Sequence, residues 1–147
     1  MKFMTLTAMA DRYLPDWSTT QFIVLDRSRR WAAPIAAQVA ANLHRRRDFS
    51  GRPPEFETCD SAKDVLLFCD QPSTLGVILM MTGVERDCLT LLARIARIPA
   101  RPPVLAICST AHAELLPLLL EAGVHTALFD VVNDVPIADW CLNWVSQ

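Results

Sequence analysis

Side chains able to bind an anion or move a proton stand at the ends of apolar runs in this 147-residue chain. Asp26, Arg27, Ser28 and Arg29 follow the first run, Thr82 the middle one, Ser109, Thr110 and His112 the next, and Asp130 the last. Basic side chains among hydroxyls near helix starts are suited to holding an anion. The expected anion-binding set is therefore Arg27, Ser28, Arg29, Ser109, Thr110 and His112. The plainer alternative is an internal ion pair of Arg27 with Asp130 or Asp26. Ser109, His112 and Asp130 are also the residue types of a hydrolytic triad, but no GxSxG elbow surrounds Ser109, so no catalytic residue is assigned and the chain is not expected to be an enzyme. His44 and His125 fall at element ends. The five cysteines, Cys59, Cys69, Cys88, Cys108 and Cys141, are widely spaced without a CxxC pair. They read as buried thiols, and neither a disulfide framework, a metal nor a cofactor is expected.

These residues need a scaffold that brings loop ends together. Gly76-Val77-Ile78-Leu79-Met80-Met81 has no polar side chain, is too short for an ordinary helix, and is followed by Thr82-Gly83, which marks a strand buried on both faces. Residues 21–25, 56–59, 104–108 and 126–129 read as four more strands. Between them, residues 29–46 place Ile35, Val39 and Leu43 on one helical face, with Pro34 near the first turn. Helices are expected at 61–69, capped by Asp60 or Ser61, and at 85–98, with Leu91, Leu92, Ile95 and Ile98 inward. A further helix is expected at 112–122, stopped by Gly123 and carrying or bent by Pro117, and a last one at 137–145. Alternating strands and helices with continuously apolar inner strands give a parallel sheet covered on both faces. The expected fold is α/β, a three-layer α/β/α sandwich with a five-stranded parallel sheet of order 2-1-3-4-5.

Length and composition fit one domain: 52% of residues are hydrophobic, enough for a core, and a second domain has no room. Residues 1–20 lack periodicity and form an N-terminal extension, with Tyr13, Leu14 and Trp17 as the anchors if it docks; the domain proper is 21–147. A net charge of −2 argues against nucleic acid or an anionic membrane as partner. Arg45-Arg46-Arg47, with Arg52 nearby, has no aromatic platform beside it and reads as a solvated helix end. No apolar run spans a bilayer and no signal peptide is visible, so a cytoplasmic location is expected.

With these elements in order, residues 21–147 resemble the receiver domain of bacterial response regulators, the flavodoxin-like, CheY-like module of two-component signal transduction. The resemblance rests on Phe22-Ile23-Val24-Leu25-Asp26, on Gly76 to Met81, on Pro103-Val104-Leu105-Ala106-Ile107, and on Glu121-Ala122-Gly123-Val124 before the last strand. Receivers hold magnesium with an acidic pair, accept a phosphoryl group on an Asp, and bind its oxygens with a Ser/Thr and a Lys. On this chain the acidic pair falls on Asp26 and Arg27, the acceptor on Met80 or Met81, the hydroxyl on Cys108 with Ser109 adjacent, and the Lys on about Asp130. The resemblance thus implies a degenerate pseudo-receiver without the phosphorylation switch or its magnesium, acting by contact with a protein partner or as a homodimer. The usual partner face of receivers points to Leu116, Leu118, Leu119, Trp140 and Trp144, with core packing as the plainer reading of the same residues. An anion- or small-molecule-binding domain using the carboxyl-edge crevice is the alternative.

Overall fold

The computed structural model describes residues 19–145. The N-terminal segment holding Tyr13, Leu14 and Trp17 lies outside the described residues. Five strands, β1 (Gln21–Leu25), β2 (Glu55–Cys59), β3 (Thr74–Met80), β4 (Val104–Cys108) and β5 (Thr126–Phe129), form one sheet of order β2-β1-β3-β4-β5, every pairing parallel. The connecting helices are α1 (Ala32–His44), α2 (Ala62–Cys69), α3 (Glu85–Ile95), α4 (Leu116–Glu121) and α5 (Val135–Val145), with a 3-10 turn at Thr110–Leu115.

Period-2 alternation along the inner strands divides the core in two. Ile23, Leu25, Val77, Leu79 and Ala106 face α2, α3 and α4, where Val65, Leu91, Leu92, Ile95 and Leu119 cover them. Phe22, Val24, Ile78, Leu105 and Ile107 face α1 and α5, packed by Ile35, Val39, Leu43, Ile137 and Trp140. The four-residue spacing of α1 therefore buries its intended stripe, and the doubly wound arrangement follows because each inner strand needs cover on both sides. The edge strand β2 shows the opposite composition, with Glu55 and Glu57 exposed.

Several boundaries differ from expectation for local reasons. Strand β3 starts at Thr74 rather than 76, since the Thr74 hydroxyl donates to the Phe68 carbonyl at 2.8 Å and its backbone pairs with Gln21. Helix α1 starts three residues late because Arg29 is left-handed, with φ of 56°. The Ser61 hydroxyl caps α2 by accepting from the Asp64 amide. Helix α3 ends at Ile95 in a tight turn, where the Ile98 amide donates to the Ile95 carbonyl at 2.9 Å. Helix α5 starts at Val135, whose amide donates to the Asn133 side chain at 3.0 Å.

The expected single helix at 112–122 is instead a 3-10 turn followed by α4, with a break at His112 (φ −119°, ψ 29°). Pro117 explains this: it has no amide to continue the ladder, and the Leu116 amide bonds the Ala113 carbonyl in the shorter 3-10 pattern. Gly123 closes α4 at φ 99°, a conformation that glycine adopts without strain. No helix among the described residues is long and apolar enough to cross a membrane.

Candidate functional site

The loops after β1, β3, β4 and β5 meet at the carboxyl edge of the sheet, as parallel connections require. They enclose a cleft of about 570 Å³ lined by Asp26, Arg27, Ser28, Met80, Thr82, Cys108, Ser109 and Asp130, and also by Arg30, Trp31, Ile107 and Val131. Eight of the sequence-derived site residues are thus brought together: Asp26, Arg27, Ser28, Met80, Thr82, Cys108, Ser109 and Asp130.

Asp26 is 3% exposed, and its carboxylate is fully engaged by its own loop. One oxygen accepts from the Ser28 hydroxyl at 2.6 Å and the Ser28 amide at 3.0 Å; the other accepts from the amides of Arg30 and Trp31, each at 3.0 Å. Burial alone pushes this carboxyl up, but the Ser28 hydroxyl and the amides of Trp31, Ser28 and Arg30 together outweigh it and hold it below the usual carboxylate value. Asp26 therefore stays ionised as the knot of the β1–α1 turn.

At the end of β3 the alternation separates the two methionines. Met80 is half-buried on the cleft wall, while Met81 is 1% exposed on the other face of the sheet. The Met81 Sδ lies 3.8 Å from the Cys108 Sγ, so one of the two expected acceptor positions touches the expected hydroxyl position through sulfur. Burial pushes the Cys108 thiol up, and Glu85 adds to the effect.

Asp130 has a φ of 53° and turns to Thr110, accepting from its hydroxyl at 2.6 Å and its amide at 3.0 Å. Those two bonds hold the Asp130 carboxyl below the usual value. The expected ion pair of Arg27 with Asp130 or Asp26 does not form, because both carboxylates are already taken by hydroxyls and amides; Arg27 is exposed and in no ion pair among the described residues.

The anion-binding set is only partly assembled. Arg29 points away and binds Asp60 at 2.7 Å, Thr110 is spent on Asp130, and His112 stands outside the cleft with its Nε2 3.5 Å from Glu85 and its Nδ1 3.8 Å from Glu114. Arg30, Trp31, Ile107 and Val131 line the cleft without having been singled out. The signal for Arg30 and Trp31 was their place just after an acidic strand end, which an Asp side chain draws into a turn. Among the described residues no group of three or more His, Cys, Asp or Glu side chains is placed to hold a metal ion.

The leucine run on α4 splits the same way. Leu118 and Leu120 are about half exposed, Leu116 is half-buried, and Leu119 is fully buried against the sheet. Trp140 is 7% exposed and packs edge-on to Phe22, with ring centroids 6.3 Å apart, while Trp144 remains half-buried against His125. Leu119 and Trp140 are therefore core residues rather than members of a partner face, because their α4 and α5 registers point them at the sheet.

No family model and no curated protein matches the chain. Solved structures do. A response regulator from Thermotoga maritima superposes with a TM-score of 0.65 at 14% identity, covering 88% of this chain and 99% of the other. The receiver domain of NtrX from Brucella abortus gives 0.57 at 17% identity, covering 84% and 98%. The receiver domain of a sensor histidine kinase from Pseudomonas aeruginosa PAO1, with a magnesium ion coordinated in its active site cleft, gives 0.59 at 11% identity, covering 88% and 100%. The architecture is that of the CheY-like receiver fold.

Proposed function

We propose that this chain is a receiver-like regulatory module that works by protein–protein contact and without a phosphorylation switch. The observation that carries this reading is the contact of Met81 with Cys108. On the receiver scaffold the phosphoacceptor falls on Met80 or Met81, and the hydroxyl that binds the phosphoryl oxygens falls on Cys108, with Ser109 adjacent. A thioether has no lone pair basic enough to take a phosphoryl group at neutral pH, and a buried, raised thiol is a poor nucleophile. Asp26, the remaining acid of the pair, is saturated by four hydrogen bonds, and Arg27 supplies a positive charge where a second metal-binding carboxylate is needed.

Phosphorylation-independent action leaves surface complementarity as the source of output. The exposed side chains of Leu118 and Leu120 offer an apolar contact on α4. This face fits a protein partner or a second copy of the chain, in the bacterial cytoplasm where receiver domains work. The test is incubation with acetyl phosphate, or with beryllofluoride and magnesium, followed by intact mass and amide NMR. No mass gain and no shifts at the cleft are expected; a stoichiometric adduct would sink the reading. Leu118→Glu with Leu120→Glu should reduce self-association by light scattering or capture of a native partner, with the fold intact by circular dichroism.

A further inference from the structure

The carboxyl-edge cleft contains two acids and two bases, but they are not equivalent. Asp26 gives its oxygens to four donors of its own loop and Asp130 gives its oxygens to Thr110. The charged groups whose hydrogen-bonding capacity is left over are the exposed guanidinium groups of Arg27 and Arg30, which enter no ion pair among the described residues. Arg30 lies with its Cζ 5.9 Å from the centre of the half-buried Trp31 ring. Trp31, Met80, Ile107 and Val131 make the cleft wall apolar, and Thr82 and Ser109 add hydroxyls. Ser109 accepts from the Ala111 amide at 3.1 Å and keeps its own proton to donate.

Both flanking loops are also held in an unusual shape. Arg29 and Asp130 are the non-glycine residues with positive φ among the described residues, at 56° and 53°. Each is pinned from outside the cleft, Arg29 by Asp60 and Asp130 by Thr110. Left-handed backbone costs an L-residue energy and concentrates where a surface is shaped for binding. The volume of about 570 Å³ is in the range that accepts a small molecule.

We propose that this cleft binds a phosphorylated ring compound of mononucleotide class. The phosphate sits between Arg27, Arg30 and the Thr82 and Ser109 hydroxyls, and the flat ring lies against Trp31 and Val131. A bare inorganic anion leaves the apolar wall unused, and a neutral ring leaves the guanidinium groups unmatched. This inference is independent of the docking reading, since a chain that docks nothing can still bind at this edge.

The experiment uses the full chain, titrated with AMP and ADP and, as separate arms, with adenosine and inorganic phosphate. Tryptophan fluorescence and melting temperature are the readouts, and Trp31→Phe assigns the fluorescence change. Saturable quenching that disappears in Trp31→Phe is expected, with a melting rise of about 3 °C at saturation. Arg27→Glu and Arg30→Glu, both at exposed positions, should each weaken binding about tenfold or more, and adenosine and phosphate alone should bind about tenfold more weakly than AMP. The proposal is overturned if no nucleotide saturates, if the charge reversals leave affinity unchanged, or if adenosine or phosphate binds as well as AMP.

Discussion

The Ser28 hydroxyl donates to Oδ1 of Asp26 at 2.6 Å, and the Ser28 amide donates to the same oxygen at 3.0 Å. With the Arg30 and Trp31 amides on Oδ2, this carboxylate organises the β1–α1 turn. Asp26→Asn should cost about 1.5–3 kcal/mol at pH 7, measured by urea unfolding, because an amide replaces one charged acceptor oxygen with a donor. The pH dependence has a definite sign. The folded Asp26 value lies below the ordinary 3.8, so its stabilisation is complete above that value and drains away as pH falls through the folded value. The variant should therefore lose less stability than the parent between pH 5 and about pH 2; equal losses would contradict the assignment.

The two methionines at the end of β3 should answer oppositely to the same substitution. Met81→Asp puts a carboxylate into a site that is 1% exposed and should cost several kcal/mol, on the order of 3 or more, or prevent folding. Met80→Asp faces the cleft and should cost about 1 kcal/mol. Met81→Leu, which keeps the volume, should cost less than about 1.5 kcal/mol. If Met80→Asp proves the worse of the pair by denaturant midpoint, the strand register is wrong.

Gly76 has a steric duty. A Cβ there would lie 3.0 Å from both Phe22 and Trp140, whose rings close over the strand. Gly76→Ala should destabilise by about 1–3 kcal/mol by overpacking, with a change in tryptophan emission as Trp140 is displaced. A Gly76→Ala, Trp140→Phe double variant should recover part of that loss if the clash is the cause.

How much of this was visible in the residues depends on the kind of question. Strand β4 was legible to the residue because five consecutive apolar side chains between Pro103 and Ser109 admit one reading. The methionine pair was not, since a continuously apolar strand carries no alternation to say which of Met80 and Met81 turns to the cleft; only the pairing register with β1 and β4 decides it. The leucine run of α4 hid its register in the same way, and Pro117 shifted it further by breaking the helix. The pairing expected of Arg27 failed because Asp26 and Asp130 found nearer donors in Ser28 and Thr110, and such short loop contacts depend on left-handed residues that propensity does not foresee.

The thiols should be inert in the folded chain. All five are buried, and burial pushes Cys59 and Cys69 up to about 11 and Cys88 to about 12, with Cys108 and Cys141 also raised. Ellman's reagent at pH 8 should label none within minutes and all five after unfolding in guanidinium. Because a raised folded value favours the folded state only below the unfolded one, stability should decline from about pH 8.5 upward as unfolded thiols ionise and folded ones do not. Rapid labelling of Cys108 in the native chain would mean that its contact with Met81 opens.

The edge-on contact of Phe22 with Trp140 joins the first strand to the last helix. During synthesis, the half of the core on the α1 side stays unroofed until α5 leaves the ribosome, since Ile137, Ala138, Trp140, Cys141 and Leu142 supply that cover. The other half can close much sooner, once β4 and α4 have emerged. A nascent chain stalled before Val135 should therefore present its apolar α1 face to chaperones, and any genetic truncation within α5 should be cleared by proteolysis rather than yield a shortened module.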